Sequence, residues 1–168
     1  MGERNDRDDE VDLLIDAWSQ RLPDVDFTPL DVMSRLRRVA LRLTSIRAAA
    51  FEHAGLATWE FDVLAALRRA EPPHELSPAE LIRATMIGSA AMTNRIDNLR
   101  GRGLVERRPN PYDGRSVLVR ITPDGASRVD AAMVELVRSE AEALEVLGRR
   151  DRDQLADLLR RLGDEPRA

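Results

Sequence analysis

Apolar positions along the chain change period several times, and each change marks an element. Val11, Leu14, Ile15 and Trp18 recur at helical spacing and predict a short helix over 11–20, stopped by Pro23. After a connector over 24–28, Thr28 and Pro29 read as the cap and first residue of a long helix. Its apolar line runs Val32, Leu36, Val39, Leu43, Ile46 and Ala50, in alternating steps of four and three, until Gly55. A second helix, Trp59 to Ala70, turns Phe61, Leu64 and Leu67 inward and is closed by Pro72-Pro73. Ser77-Pro78-Ala79-Glu80 has the form of a capping box with proline at N1, so a short helix to about Met86 follows. Gly88-Ser89 marks a turn. The next helix runs to about Arg102, with Met92, Ile96 and Leu99 on one face and Gly103 behind it.

There the period drops to two. Leu104–Arg107 and Ser116–Ile121 alternate around a turn-rich tip, and Val117, Val119 and Ile121 share one face, which predicts a β-hairpin. Thr122-Pro123 opens another long helix, striped by Val129, Met133, Leu136 and Val137 and reaching about Leu147. Asp151 is expected to cap a last helix carrying Leu155, Leu158, Leu159 and Leu162. Helix, tight turn, helix and then a two-stranded wing is the plan of a winged helix-turn-helix. The expected fold is therefore mainly α with a small β-hairpin wing, a lobe accompanied by long helices that form a dimerisation region. The expected divisions are an acidic flexible tail (1–10), amino-terminal helices comprising an added helix and a dimerisation helix (11–54), the winged DNA-binding lobe (55–122) and carboxy-terminal dimerisation helices (123–168).

Charge changes this picture only when it is counted locally. The net charge is −4, which by itself opposes nucleic acid. Between Arg83 and Arg120, however, eight arginines face only Asp97, Glu106 and Asp113, while the first twelve residues hold six acids and two arginines. Groove contacts depend on where charge sits rather than on its sum. The absence of cysteine excludes disulfides, thiolate nucleophiles and sulfur-ligated metals. His53 and His74 are the only histidines and neither has a partner at ligand spacing, and there is no glycine-rich phosphate loop or zinc spacing. The expectation is that the protein is not an enzyme, with no catalytic or metal-binding residue and no cofactor. The polar, acidic start excludes a signal peptide's apolar run, and no apolar window is long enough to span a membrane. A cytoplasmic protein without a membrane partner is expected.

The helix after Gly88 presents Ser89, Ala90, Thr93 and Asn94 early on its outer face. Hydroxyls and an amide meet base edges or phosphates, asparagine pairs bidentately with adenine, and the small alanine permits close approach. Arg107, Arg108 and Arg115 stand near the wing tip, where guanidinium groups reach phosphates or an adjacent minor groove. Asp113 is placed to hold the fork of Arg115, and Pro109 and Pro111 restrict the tip before it is ordered. A run of arginines is equally the mark of a solvated face, so a structural or interaction dimer that binds no DNA stands as the alternative. The long apolar helices either complete a monomeric bundle or pair with a second chain, and pairing explains more, because duplex DNA read at two half-sites needs a two-fold dimer.

The segments WEFDVLAALRR (59–69), ELSPAELIRATMIGSAAMTNRIDNLRGRGLVERR (75–108) and DGRSVLVRITPDG (113–125) closely resemble the MarR family of winged-helix repressors. The resemblance covers residues 30–162. It implies an obligate homodimer with interlocking terminal helices, a pseudo-palindromic operator, repression, and release by a small, often aromatic or anionic, ligand. Two positions depart from the family pattern. Ala57 stands where Ser or Thr is common, which removes the reciprocal capping box and weakens that helix start by about 1 kcal/mol. Gly88 stands where a Ser often precedes the recognition helix, leaving an end that frays until phosphate arrives or that Ser89 caps.

The segment LLIDAWSQRLPDVDFTPLDVMSRLRR (13–38) resembles the added helix of the family's urate-responsive subgroup. That subgroup's ligand residues fall on Trp18, Asp62, Arg95 and Arg107 here, and all four types match. The set is chemically sensible for urate: an indole stacks on a flat heterocycle, an arginine fork suits a purine anion, and a carboxylate accepts from ring N–H. Each residue also has a plainer role. Trp18 suits packing of its own helix, Asp62 suits a first-turn carboxylate, Arg95 suits a phosphate or an Asp62 partner, and Arg107 suits any hairpin. Xanthine-like purines and phenolic carboxylates remain open as effectors, since stacking and anion pairing do not separate them from urate.

Overall fold

The structure is a computed structural model that describes residues 9–111 and 113–164, with the side chains of residues 113–115 outside that description. Most of the expected acidic tail, residues 1–8, therefore lies outside the described residues. The chain divides into two compact units, residues 1–45 and 46–168. No described helix is long and apolar enough to cross a membrane.

The first unit contains α1 (Glu10–Ser19) and the greater part of α2 (Thr28–His53). Asp9 caps α1 by accepting from the backbone N–H of Val11 at 2.7 Å and of Asp12 at 3.2 Å, and Asp12 reciprocates by accepting from Asp9 N–H at 2.8 Å. The same carboxylates hold α2. Arg35 donates to Asp9 at 2.9 Å and to Asp12 at 2.8 Å, and also pairs with Asp31 one turn back. The Arg35 hydrogen bond, aided by the Asp9 backbone, holds the Asp12 carboxyl below the ordinary carboxylate range. Trp18 and Phe27 stack with centroids 6.5 Å apart. The start of α2 differs from the expected Thr28 cap: Thr28 is already helical, and its N–H and hydroxyl donate to Asp26 at 2.9 and 3.0 Å. Asparate-type side chains satisfy backbone donors two residues ahead, so Asp26 serves where the Thr-Pro pair suggested Thr28.

The second unit adds α3 (Thr58–Arg69), β1 (Glu75–Leu76), α4 (Pro78–Thr85), α5 (Ser89–Gly101), β2 (Val105–Asn110), β3 (Asp113–Ile121), α6 (Pro123–Ala143) and α7 (Arg149–Gly163). Its core joins Phe51 from the end of α2 to Phe61, Leu64 and Leu67 of α3, Leu81 of α4, Met92, Ile96 and Leu99 of α5, and Val119 of β3. Phe51 and Phe61 stack nearly parallel at 3.9 Å. The expected inward faces of α3 and α5 are thus buried, because apolar residues at three- and four-residue spacing share one side of a helix.

The wing is a three-stranded antiparallel sheet in the order β1-β3-β2, and both hairpin strands run further than the alternation alone indicates. Register pairs Val105 with Ile121 and Arg107 with Val119. Pro109 is tolerated because β2 is an edge strand, whose unpaired side loses nothing from a missing N–H. β1 escapes prediction because two residues cannot display a period of two. It is secured by Glu75, which accepts from Arg120 of β3 at 2.9 Å.

Caps decide the helix ends. Ser77 and Glu80 form the expected box at α4, and the Ser77 bonds hold the Glu80 carboxyl below its ordinary range. That contribution is complete at neutral pH and is lost as pH falls through the lowered value. Thr122 caps α6 through Gly125 N–H at 3.1 Å, with Pro123 at N1 as expected. The helix stops at Ala143, a turn before Leu147, and α7 is capped by Gly148, with Asp151 in its first turn rather than at the cap. A carboxylate there still complements the helix dipole. Large parts of the long stripes stay exposed: Val32 and Val39 on α2, Met133 and Val137 on α6, and all four leucines of the α7 stripe.

Gly125 sits where α6 crosses the loop between α5 and β2. A Cβ there would lie 2.2 Å from the Leu104 carbonyl oxygen and 3.0 Å from Ile121 Cγ1. Backbone cannot yield as a side chain does, so Gly125→Ala is expected to cost about 2–3 kcal/mol, read as a lower urea midpoint with an unchanged m-value.

Candidate nucleic-acid interface

α4 and α5 form the helix-turn-helix, joined at Met86, which takes the left-handed conformation (φ 55°). The buried face of α5 fixes which residues point away: Ser89, Ala90, Thr93 and Asn94 are all exposed on its first half. Gly88 is the N-cap and supplies no side-chain bond, and Ser89 is the first helical residue rather than a cap. The Thr93 hydroxyl donates to the Ser89 carbonyl at 3.3 Å, which leaves the outer surface of that turn polar and low.

Charged residues further along α5 turn back toward the lobe. The Arg95 guanidinium lies over the Trp59 ring of α3, 5.4 Å from its centroid. Asp97 meets Arg107 of β2 at 3.1 Å and Arg100 at 3.6 Å, charge contacts that do not give Asp97 Oδ1 a hydrogen bond. Just past the helix, Arg102 pairs with Glu60 of α3 and donates to the Gly55 carbonyl at 2.7 Å. Glu60 is 3% exposed, the one buried charged residue among the described core. It also accepts from Ala57 N–H at 2.9 Å. The reciprocal box is lost, as expected, because Ala57 has no side-chain acceptor, but half of it survives, since the N3 carboxylate needs only the cap residue's N–H.

Sequence reasoning passed over Trp59, Glu60, Asp97 and Arg102 as functional residues. Each is revealed only by its partner on another element, Arg95 for Trp59, Arg107 for Asp97 and Arg102 for Glu60, and those partners lie ten or more positions away in the chain.

Of the other named residues, Arg108 is exposed on β2 and lies 3.9 Å from Glu106. Asp113 and Arg115 fall on β3, but their side chains lie outside the described residues. Asp62 is half-buried one turn beyond Trp59 on α3 and forms no ion pair among the described residues, so the Arg95–Asp62 pairing does not occur. Trp18 belongs to the first unit, where it is 47% exposed. Arg95 and Arg107 are thus brought to the same helix, one from α5 itself and one from the wing.

A MarR family sequence model matches residues 54–116, the segment that holds α3, α4, α5, β2 and the start of β3. The transcriptional regulator PecS of Dickeya dadantii is 32% identical over 153 residues, covering 91% of this chain and 92% of that protein. The chain belongs to the MarR family. It is a DNA-binding transcriptional regulator rather than an enzyme. The MarR-family chain is also similar to the transcriptional repressor NicR of Pseudomonas putida, 32% identical over 145 residues, with 83% of this chain and 89% of NicR covered. Among solved structures, BpsR of Bordetella bronchiseptica, whose DNA binding is regulated by 6-hydroxynicotinic acid, superposes with a TM-score of 0.66 at 29% identity, covering 80% of this chain and 94% of that one. A cysteine-to-serine variant of MarR from E. coli, complexed with operator DNA, gives a TM-score of 0.68 at 25% identity, covering 83% of this chain and 99% of that one.

Removing one partner of a buried ion pair strands the other charge. Arg102→Met is expected to lower stability by about 2–3 kcal/mol, and Glu60→Gln in that background to restore part of it. Urea denaturation of Arg102→Met, of Glu60→Gln and of the double variant checks this, and independent, additive losses would contradict it.

Proposed function

We propose that this MarR-family protein is a homodimeric repressor that grips a pseudo-palindromic operator and releases it when a small anionic aromatic ligand, urate, binds. The observation that carries the DNA half of this reading is the exposed row of small uncharged residues Ser89, Ala90, Thr93 and Asn94 beside an arginine-rich wing, on a helix whose opposite face is buried. Arg108 and Arg115 reach phosphates or the minor groove from the wing, with Asp113 supporting Arg115. Arg95 stands between this surface and the effector. Residues 55–122 serve as the DNA-binding lobe. Residues 11–54 and 123–168 serve as dimerisation helices, a role supported by the apolar stripes left exposed on α2, α6 and α7. A second copy covers such stripes and sets the spacing of two recognition helices on successive grooves. The protein acts in the cytoplasm and needs no metal or cofactor.

Trp18 supplies the stacking face for urate, Asp62 a carboxylate, and Arg95 and Arg107 the guanidinium groups that receive its negative charge. Because Arg107 already holds Asp97 and Arg95 already covers Trp59, an anion that draws on both loosens α5 at two points. That is a coupling free energy between effector and DNA. The 6-hydroxynicotinic acid response of BpsR favours a second reading, in which the same four residues take a phenolic or pyridine carboxylate, with a xanthine-like purine as a further candidate.

Two measurements test these halves separately. Arg115→Ala is expected to weaken binding to the protein's own upstream DNA and to lower the salt slope by about one; unchanged affinity at low salt removes the wing from the interface. Urate added to the protein–DNA complex is expected to release it, with the midpoint raised about tenfold in Trp18→Phe. Calorimetric titration with urate, xanthine, salicylate and 6-hydroxynicotinate then ranks the ligands, and absence of heat with both purines rules out urate as the effector.

A further inference from the structure

The chain has two tryptophans, and the effector reading uses only Trp18. Trp59 is the second residue of α3, half-buried against the core. Its ring faces the recognition helix and carries the Arg95 guanidinium. Arg95 precedes the buried Ile96 and follows the exposed Thr93 and Asn94, so it stands on the flank of α5, between the face packed on the core and the face left for DNA.

We propose that Trp59 is a positioning residue for the recognition helix, and that Arg95 serves the DNA complex by stacking on Trp59 rather than by touching a phosphate. A guanidinium over an indole face is attracted by the ring quadrupole, most strongly where water is partly excluded, as it is at half-buried Trp59. The Met92, Ile96 and Leu99 face is a greasy seat that resists separation but resists rotation weakly, because apolar contact is non-directional. A stacked side chain on the flank supplies the missing direction. It fixes the turn that carries Thr93 and Asn94, and so the angle at which those two side chains meet base edges.

Three charged contacts hold α5 and its end: Arg95 on Trp59, Asp97 with Arg107, and Arg102 with Glu60. Breaking the last strands the buried Glu60 carboxylate, whereas breaking the second leaves Asp97 beside Arg100 and partly in water. Breaking the first strands nothing, since the indole carries no charge and the freed guanidinium returns to water or to an anion. Arg95 on Trp59 therefore yields to an anionic ligand more readily than the buried Arg102–Glu60 pair does. The inference rests on the DNA-binding reading and holds whichever anion is the effector.

The test uses the full-length protein with labelled upstream DNA, titrated between low and moderate salt, in the variants Arg95→Met, Trp59→Leu, the double variant and Trp59→Phe. Arg95→Met and Trp59→Leu are each expected to weaken binding about five- to tenfold, the double variant to be no worse than either, Trp59→Phe to keep most of the affinity, and the salt slope to stay at the wild-type value. A slope lowered by about one in Arg95→Met, with effects that multiply in the double variant, makes Arg95 a phosphate contact and overturns the proposal. Fluorescence supplies a readout independent of DNA. Trp18→Phe leaves Trp59 as the single indole, and its emission is expected to shift when Arg95→Met is added. Emission indifferent to Arg95 also overturns the proposal. Failure of the wild-type chain to grip any upstream DNA, with the emission shift intact, ends the DNA reading instead.

Discussion

Glu60 is a carboxylate placed where a carboxylate is expensive. Nearly all of it is withdrawn from water, so it must keep both the Ala57 N–H and the Arg102 guanidinium, and Arg102 in turn holds the Gly55 carbonyl. The loop between α2 and α3, the start of α3 and the residue that follows α5 are thereby joined through one ion pair. An apolar residue at position 60 would pack at least as well, but it would not require any particular arginine to be present. The ion pair thus acts as a register device: it defines where the recognition helix stops relative to the helix behind it.

The remaining placement of α5 follows from that fixed end. Its core face, Met92, Ile96 and Leu99, supplies most of the attraction, while Arg95 and Asp97 reach to α3 and β2 on its flanks. What is left for the outside is a row of small polar residues with no charge of its own. Arginines around it belong to the wing and to the helix's own supports. This division reconciles an acidic chain with DNA binding, because the exposed residues on the first half of α5 are neutral and the positive charge is concentrated on the hairpin beside them. On the proposed function, the same guanidinium groups that steady α5 are those an anionic ligand would claim.

Much of this was legible in the order of residues. The α3 and α5 faces, the Ser77–Glu80 box, the Thr122 cap and the hairpin are all local patterns, governed by interactions within four residues or by alternation along a strand. Caps went astray where a nearby residue takes the position, as Asp26 does by accepting from Thr28 and as Gly148 does ahead of Asp151 without any side-chain bond. β1 was invisible because its two residues become a strand only by pairing with Arg120 and Val119.

The residue order by itself determined that this is a mainly α chain with a helix-turn-helix, a wing and a row of small residues on the outer face of α5, since hydrophobic periodicity and capping chemistry are properties of neighbouring residues. Tertiary structure alone decided what the charges do. Whether an arginine lies over an indole, meets a carboxylate on another element or faces outward depends on which side chains are brought within a few ångströms across gaps of ten to forty residues. Coulomb and quadrupole forces act over that short range and leave no period in the sequence.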